Sequence, residues 1–214
     1  MYLVVCMRYF ITTPWWIKKL FSSYTWSVET KEKIVYLTFD DGPHPVATPF
    51  VLDELKKYNA KATFFCIGKN VLTYPDIYRR IPAEGHQVGN HTHNHLNGWQ
   101  TKTDIYLKDI AEAAKYIDSA LFRPPYGRIR GFQAKNVGRA LKNPDTKIVM
   151  WSVLSGDFDS AITKEECLEN VILSTKPGSI VVFHDSEKAF RHLEYSLPLV
   201  LHFFSEKGYR LERL

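Results

Sequence analysis

Short apolar runs alternate with amphipathic stretches from residue 34 to the C terminus, and this alternation limits the possible folds more than any other feature. The runs Lys147–Trp151 and Ile180–Phe183 are rich in large apolar residues, which predicts strands buried on both faces, as in a parallel sheet. We expect seven strands, over Ile34–Phe39, Ala62–Cys66, Gln87–Gly89, Leu121–Arg123, Lys147–Val153, Ser179–Phe183 and Tyr209–Glu212.

The amphipathic stretches between these runs show helical spacing, with apolar residues recurring every three or four positions. Helices are predicted over Thr48–Tyr58, Pro75–Ala83, Asp104–Ile117, Phe132–Leu141, Lys164–Leu173 and Leu193–Phe204. Pro82 weakens the second of these predictions, because proline disrupts a helix interior. The repeated order of strand and helix predicts a parallel α/β fold, either an incomplete barrel or an open doubly wound sheet.

Length and composition indicate one globular domain. The 214 residues are 45% hydrophobic and 24% charged, which is enough apolar material for a substantial core. The net charge of +5 favours an anionic partner, but no Lys/Arg block is present, so a nucleic-acid partner is not expected. The three cysteines, Cys6, Cys66 and Cys167, are too few and too scattered for a disulfide framework.

Residues 1–30 are expected to form an N-terminal extension that packs on, or leads into, a domain over residues 31–214. No apolar run approaches the ~20 residues of a membrane span, and no signal peptide is recognised. The stretch Trp15–Phe21 fits either a short amphipathic anchor or, as the favoured interpretation, a segment packed across the domain. The sequence leaves open the oligomeric state and whether the protein is cytoplasmic or associated with the cell envelope.

Chemically reactive side chains are concentrated directly after the predicted strands. The carboxyl ends of parallel strands share one face, where α/β folds place their active sites, so we expect residues far apart in sequence to converge there. The side chains concerned are Asp40, Asp41, His91, His95, Arg123, Asp157 and His184.

The segment His91–His95 is the densest metal-ligand signal in the chain. His91 and His95 are four positions apart, so on a helical turn they would share a face, with His93 pointing away. Two imidazoles with one carboxylate and a water molecule make an open catalytic site of the kind that suits zinc. A histidine-rich surface loop is the alternative interpretation.

Asp40 and Asp41 stand at the end of the first predicted strand and precede Gly42 and Pro43. Neighbouring strand residues point to opposite sides, so one carboxylate is able to bind a metal while the other faces a substrate as a general base. The alternative is a turn in which one aspartate caps the following helix, and it accounts for one aspartate better than for two.

His184 and Arg123 are ambiguous when each is taken alone. A single histidine at the end of a buried strand is more often a hydrogen-bonded core residue. Asp157, however, is placed to pair with His184, raise its pKa and keep it protonated as a general acid. Arg123 opens the rigid turn Pro124–Gly127, and it is either an ordinary ion-pair residue or one that orients a catalytic carboxylate.

Taken together, these segments resemble the five ordered motifs of the NodB-homology polysaccharide deacetylases, carbohydrate esterase family 4. The resemblance is carried by Thr38–Pro43, His91–His95, Arg123–Gly127, Asp157 and Val182–His184, and it covers the chain from Lys33 to the C terminus. The first two motifs are highly specific, and the others stand in the expected order. The family usually has Trp and Leu where this chain has Phe158 and Val182, which bears on the acetyl pocket more than on the chemistry.

The resemblance implies a distorted (β/α)7 barrel and a divalent metal, usually zinc, held by Asp41, His91 and His95. It implies a metal-dependent hydrolase that removes N-acetyl groups from N-acetylglucosamine-containing glycans of the peptidoglycan or chitin type and releases acetate. Two alternatives stay open, namely an O-acetyl polysaccharide esterase and a non-catalytic carbohydrate-binding protein on the same fold.

The resemblance also implies a role for each residue around the metal. Asp40 is the implied general base, and His184 is the implied general acid. Arg123 would orient Asp40, Asp157 would tune His184, and the backbone N–H of Tyr126 would help to bind the oxyanion.

Overall fold

A curled parallel sheet is the framework of the computed structural model, which describes residues 9–214. Its strands are β1 (Ile34–Asp40), β2 (Thr63–Cys66), β3 (Gln87–Asn90), β4 (Leu121–Phe122), β5 (Lys147–Ile148), β6 (Val153–Leu154), β7 (Ile180–His184) and β8 (Arg210–Leu211). The sheet order is β5-β4-β3-β2-β1-β7-β6, and β8 pairs with the beginning of β1. Residues 1–8 of the predicted extension, with Cys6, lie outside the described residues.

Helices flank the sheet and connect most of its strands. They are α1 (Trp15–Leu20), α2 (Ala47–Lys57), α3 (Gly68–Thr73), α4 (Pro75–Ala83), α5 (Thr103–Ala113), α6 (Gly131–Leu141), α7 (Lys164–Ser174) and α8 (Glu187–Glu206). All six predicted helices are present, although the last begins at Glu187 rather than at Leu193, and α1 and α3 were not predicted as helices. The prediction of a distorted (β/α)7 barrel is confirmed by this curled arrangement.

The central strand β1 separates two environments. Phe39 is fully buried on the side of the helices, where its ring centroid lies 5.1 Å from that of Phe64 and 6.0 Å from that of Phe183. Thr38 and Asp40 point to the inside of the barrel instead, because successive strand residues face opposite sides. The strand therefore contributes apolar groups to the core and polar groups to the barrel interior.

The predicted strand Lys147–Val153 is interrupted in the structure. Its beginning forms β5, which pairs with β4, and its end belongs to β6, which pairs with β7. Between them, the carbonyl oxygens of Val149 and Met150 accept hydrogen bonds from the buried side chain of Arg123, at 3.2 and 3.0 Å. The prediction of one continuous strand was therefore wrong, because these carbonyls solvate a guanidinium group instead of pairing with a neighbouring strand.

The described part of the N-terminal extension lies along this interrupted segment. Isolated bridges join Thr12 to Val153 and Thr25 to Val149, and Trp26 is buried. Between these two bridges, α1 buries none of its residues. The flanks of α1 thus pack across the domain, while α1 itself is largely open to solvent and makes its core contact through the half-buried Ile17. Within residues 9–214, no helix combines the length and the apolar composition that crossing a bilayer requires.

Candidate active site

The carboxyl ends of the strands surround a cavity of about 770 Å³, called the site cavity below. Six of the eight predicted site residues line it, namely Asp40, Asp41, His91, His95, Tyr126 and His184. The other two lie behind this lining, where Arg123 hydrogen-bonds to Asp40 and Asp157 hydrogen-bonds to His184. Residues from five separate motifs therefore meet at one face of the barrel, where the strand ends converge.

Asp41, His91 and His95 form a cluster suited to a metal ion. One ligand atom from each residue lies within 4.8 Å of the others. Asp41 Oδ1 is 3.1 Å from His95 Nε2 and 3.7 Å from His91 Nε2, yet this buried oxygen has no hydrogen-bond partner. Because an unsatisfied buried carboxylate oxygen is costly, two imidazole nitrogens converging on it fit a shared divalent cation.

The two histidines of this cluster are not on a helical turn, so that expectation was wrong. The segment is a loop in which Thr92 and His95 adopt φ angles of 66° and 56°, and this left-handed backbone brings the rings of His91 and His95 to 5.1 Å between centroids. The loop is held by Asp109, whose Oδ2 accepts a hydrogen bond from the backbone N–H of His93 at 2.8 Å. A bent loop rather than a helix therefore brings the two ligands together.

The surroundings of His91 favour a neutral ring. Its Nδ1 donates to the carbonyl oxygen of Arg123 at 2.7 Å, which leaves Nε2 free to face Asp41. Burial lowers the pKa of His91 to about 4, despite the opposing effect of the nearby carboxylates. For Asp41, burial by itself would raise the pKa, but His95, His184 and His91 hold it well below its usual range. A neutral imidazole and an ionised carboxylate are the forms that bind a cation.

Asp40 is fixed by a fully buried arginine. Nη1 of Arg123 donates to Asp40 Oδ1 and to Thr38 Oγ1, each at 2.7 Å, while Nε and Nη2 donate to the carbonyls of Val149 and Met150. A guanidinium held at so many points has little freedom, so it orients the carboxylate that it contacts. The ion pair that the sequence suggested between Arg123 and Asp40 is present.

His184 is paired with Asp157, which is fully buried. The two carboxylate oxygens of Asp157 accept hydrogen bonds from the ring Nδ1 and the backbone N–H of His184, both at 2.7 Å. Burial by itself would lower the pKa of His184, but the carboxylate of Asp157 raises it to about 9. The ring therefore carries a proton at neutral pH, and Nε2 is the ring nitrogen that Asp157 does not engage.

Backbone strain is concentrated around this cavity. Among the described residues, six non-glycine positions have a positive φ, and four of them are Asp41, Thr92, His95 and Tyr126. Tyr126 lies in the 3-10 turn Pro125–Gly127 with φ 59°, and its ring centroid is 4.7 Å from that of His95. Left-handed backbone is unfavourable for residues with a Cβ, and it persists where the surrounding structure enforces it, commonly at functional sites.

Asp185 is a buried carboxyl group beside the turn at Gly42, next in sequence to His184, and the sequence reasoning did not single it out. Its Oδ1 accepts the backbone N–H of Gly42 at 3.0 Å, and its Oδ2 accepts the hydroxyl of Thr48 at 2.5 Å. Burial raises the pKa of Asp185 to about 8, with a further contribution from Asp41. A Cβ at Gly42 would stand 2.1 Å from Asp185 Oδ2, so this turn requires glycine. A carboxylate directly after an apolar strand, as at Asp40, was the signal that would have identified it.

Tyr9 lines the site cavity and was missed by the sequence reasoning. Its hydroxyl donates to Asp159 at 2.8 Å, and its ring centroid is 5.2 Å from that of Phe158. Phe158 and Val182, the two departures from the family pattern, also line the site cavity. Nothing in the sequence around Tyr9 indicates this position, because it depends on how the N-terminal extension crosses the barrel.

Comparisons with known proteins agree with this site. The sequence model for polysaccharide deacetylases matches residues 27–143. A peptidoglycan-N-acetylglucosamine deacetylase from Bacillus cereus is 36% identical over 192 residues, which are 87% of this chain and 88% of the relative. A chitooligosaccharide deacetylase from Azorhizobium caulinodans is 32% identical over 165 residues, covering 74% of this chain and 76% of the relative.

A solved structure is similar over almost the whole chain. It is a peptidoglycan N-acetylglucosamine deacetylase in complex with 4-naphthalen-1-yl-N-oxidanyl-benzamide, with a TM-score of 0.81, 33% identity, and coverage of 92% of this chain and 93% of that one. The chain therefore belongs to the polysaccharide deacetylase family, a family of metal-dependent enzymes, and the resemblance inferred from the five motifs is confirmed.

Proposed function

We propose that this protein is a metal-dependent hydrolase that removes N-acetyl groups from N-acetylglucosamine-containing glycans of the peptidoglycan or chitin type. One observation carries the proposal. A cluster of ligand atoms suited to a cation, a buried carboxylate outside that cluster, and an imidazole whose pKa is raised to about 9 line the same cavity. These are the three groups that hydrolysis of an amide requires, because the attacking water must lose a proton and the leaving amine must gain one.

We assign Asp41, His91 and His95 as the ligands of the cation and zinc as the metal. The support is the donor set, since two imidazoles and one carboxylate suit zinc and leave a coordination position open. When bound, the cation would supply Lewis-acid catalysis for the acetyl carbonyl and favour ionisation of a water molecule.

Asp40 is assigned as the general base. Its Oδ2 lies 4.0 Å from His91 Nε2, so this carboxylate adjoins the cation site without belonging to the cluster of ligands. Arg123 holds the other oxygen, Oδ1, and so keeps Oδ2 toward the cavity as Asp40 takes the proton of the attacking water. In this scheme Arg123 is a positioning residue, since it acts through Asp40.

His184 is assigned as the general acid. Its Nδ1 is engaged by Asp157, so the proton to be donated is at Nε2, and it passes to the nitrogen of the leaving amino sugar as the C–N bond breaks. Asp157 is the positioning partner that keeps the ring charged. The backbone N–H of Tyr126, in a turn beside His95, would help to bind the oxyanion.

We also propose that residues 31–214 form the deacetylase domain and that residues 1–30 form an N-terminal extension. The support is that β1 begins at Ile34 and that the family match begins at residue 27. The extension contacts the domain at Thr12, Thr25 and Ser27.

The experiment that tests the function is acetate release from N-acetylated chitin oligomers, peptidoglycan and O-acetylated xylan, with and without a chelator. Acetate from the N-acetylated glycans, lost with chelator and restored by zinc, is the expected result. Asp40→Asn should keep the metal and lose about 10²–10⁴ in kcat.

Release from xylan alone would favour the O-acetyl esterase. Glycan binding by the zinc-loaded protein without any release would favour the non-catalytic binding protein.

A further inference from the structure

A second cavity, of about 410 Å³, adjoins the site cavity and is called the N-terminal cavity below. The two cavities share five lining residues, namely Tyr9, Tyr126, Arg128, Trp151 and Leu154. A molecule bound in the site cavity is therefore able to continue into the N-terminal cavity without leaving the protein surface. Of the residues given a role in the reaction, Tyr126 alone also lines this second space.

Aromatic side chains dominate the walls of the N-terminal cavity. The N-terminal extension supplies one wall, which includes Phe10, Trp16 and Trp26. Trp99, which lies between β3 and α5, is also part of the lining. Trp16 is 51% exposed and Trp99 is 56% exposed. Large aromatic rings left open to water in a concave surface mark a binding site, since such rings are normally buried.

The wall formed by the extension is built into the fold. The backbone N–H of Thr13 donates to Ser152 O at 3.0 Å, and the N–H of Met150 donates to Thr25 O at 2.7 Å. The indole N–H of Trp26 donates to Phe21 O at 2.9 Å. Because both ends of the segment around α1 are bonded to the barrel, the aromatic wall exists before a ligand arrives, and little ordering entropy opposes binding.

A polar group stands where the two cavities meet. Arg128 lines both, and its guanidinium carbon lies 5.3 Å from the ring centroid of Trp99. A sugar ring has an apolar face of C–H groups that packs on an indole, and it has hydroxyl and acetamido oxygens at its edge that accept from a guanidinium. Aromatic faces with one cation at the rim match that chemistry better than they match a purely apolar ligand.

We infer that the N-terminal cavity binds a second sugar residue of the same glycan chain, linked to the residue whose acetyl group is removed. The inference rests on the proposed function for its substrate class, and it adds where the next sugar residue of that glycan lies and which side chains of this protein bind it. The N-terminal extension would thereby contribute to substrate binding through Trp16.

Helix α1 offers a matched pair of variants for the test. Trp15 and Trp16 are neighbours, and Trp15 is 74% exposed but lines neither cavity. Trp16→Ala should lower kcat/KM for N-acetylchitopentaose by about 10-fold, mainly through KM, as expected for loss of one aromatic contact. It should leave kcat/KM for 4-nitrophenyl acetate, which has no second sugar residue, unchanged. Trp15→Ala should leave kcat/KM for both substrates unchanged. Trp16→Phe should retain most of the kcat/KM for N-acetylchitopentaose that Trp16→Ala loses.

Direct binding separates this inference from the proposed function. Calorimetry with N-acetylchitopentaose and the zinc-loaded Asp40→Asn protein should show a Kd about 10-fold higher when Trp16→Ala is added, and no change with Trp15→Ala. If the wild type releases no acetate from any glycan, the proposed function fails, while this binding difference still decides the inference. An unchanged Kd and an unchanged kcat/KM for the pentamer would overturn the inference.

A membrane surface is the competing occupant, because Trp16 belongs to an exposed helix that also carries Lys18 and Lys19. Sedimentation with anionic phospholipid vesicles tests it. If Trp16→Ala abolishes vesicle binding and leaves the Kd for the pentamer unchanged, the N-terminal cavity serves membrane attachment and the inference is wrong. Equal thermal melting of the variants would show that the folded state is intact in each comparison.

Discussion

Two histidines of the site cavity, the buried His91 and the half-buried His184, differ in what accepts the hydrogen bond from Nδ1. For His91 the acceptor is the carbonyl oxygen of Arg123, and burial lowers the pKa of the ring to about 4. For His184 the acceptor is the carboxylate of Asp157, and the pKa rises to about 9. Burial penalises the charged ring in both places, so the charge on the acceptor decides which ring holds a proton.

This difference separates the two halves of the proposed chemistry. A neutral His91 is able to bind a cation through Nε2, whereas a protonated His184 is able to deliver a proton. Pairs of like groups whose surroundings push their pKa values apart are the usual way in which one site supplies different functions at one pH.

Removal of His91 or of His184 tests this division with the largest expected effect. His91→Ala should lose most of the bound zinc and at least about 10³ in kcat/KM, because loss of the cation removes several kcal/mol of stabilisation of the transition state. His184→Ala should keep its zinc and lose about 10²–10⁴ in kcat. Metal analysis of dialysed protein, alongside acetate release, measures both. Equal loss of zinc in the two variants would contradict the division.

Asp157→Asn tests the cause of the raised pKa. In the native protein His184 is protonated below pH 9, so activity should decline as the pH rises through about 9. Without the carboxylate, burial prevails and the pKa falls to about 6.5 or lower, so the decline should begin near that pH. We expect kcat at pH 8 to fall by about 30-fold, with a much smaller difference at pH 6 and unchanged zinc content. A decline that stays near pH 9 in the variant would assign it to another group.

Asp185→Asn is expected to have the smallest effect. With its pKa raised to about 8, Asp185 is mostly protonated at pH 7, and a neutral amide is able to take over its bonds to Gly42 and Thr48. We expect kcat at pH 7 to change by less than about 3-fold, since neutral hydrogen bonds are exchanged for neutral ones.

The stability of this variant should depend on pH in a definite direction. The folded protein binds the Asp185 proton more tightly than the unfolded chain, where the pKa is about 3.9, so this residue lowers stability as the pH rises from that value to about 8. Asp185→Asn lacks this loss, and its melting temperature relative to the native protein should therefore be higher at pH 9 than at pH 5. As a control, Asp185→Ala also lacks the ionisable group but leaves the N–H of Gly42 without an acceptor, so it should be less stable than Asp185→Asn by about 1–3 kcal/mol at both pH values.

The sequence reasoning succeeded where local pattern and strand ends carried the information. It located every strand of the sheet except β6 to within a few residues, and it selected eight side chains that the structure gathers at one end of the barrel. It failed for the helical turn at His91–His95 and for the continuous strand Lys147–Val153. In both segments, hydrogen bonds with residues outside the segment override the local preference, because Asp109 accepts from the N–H of His93 and Arg123 donates to the carbonyl of Val149. Tyr9 was missed because its place depends on the path of the extension across the barrel.

The amino-acid sequence by itself determined the order of strands and helices and placed acidic and histidine side chains at the strand ends, because hydrophobic periodicity is a local property. Only the tertiary structure decided which histidine carries a proton. His91 meets its acceptor 32 positions away and His184 meets its acceptor 27 positions away, and burial depends on the whole packed barrel. The same holds for the N-terminal cavity, whose aromatic walls come from segments that only folding brings side by side.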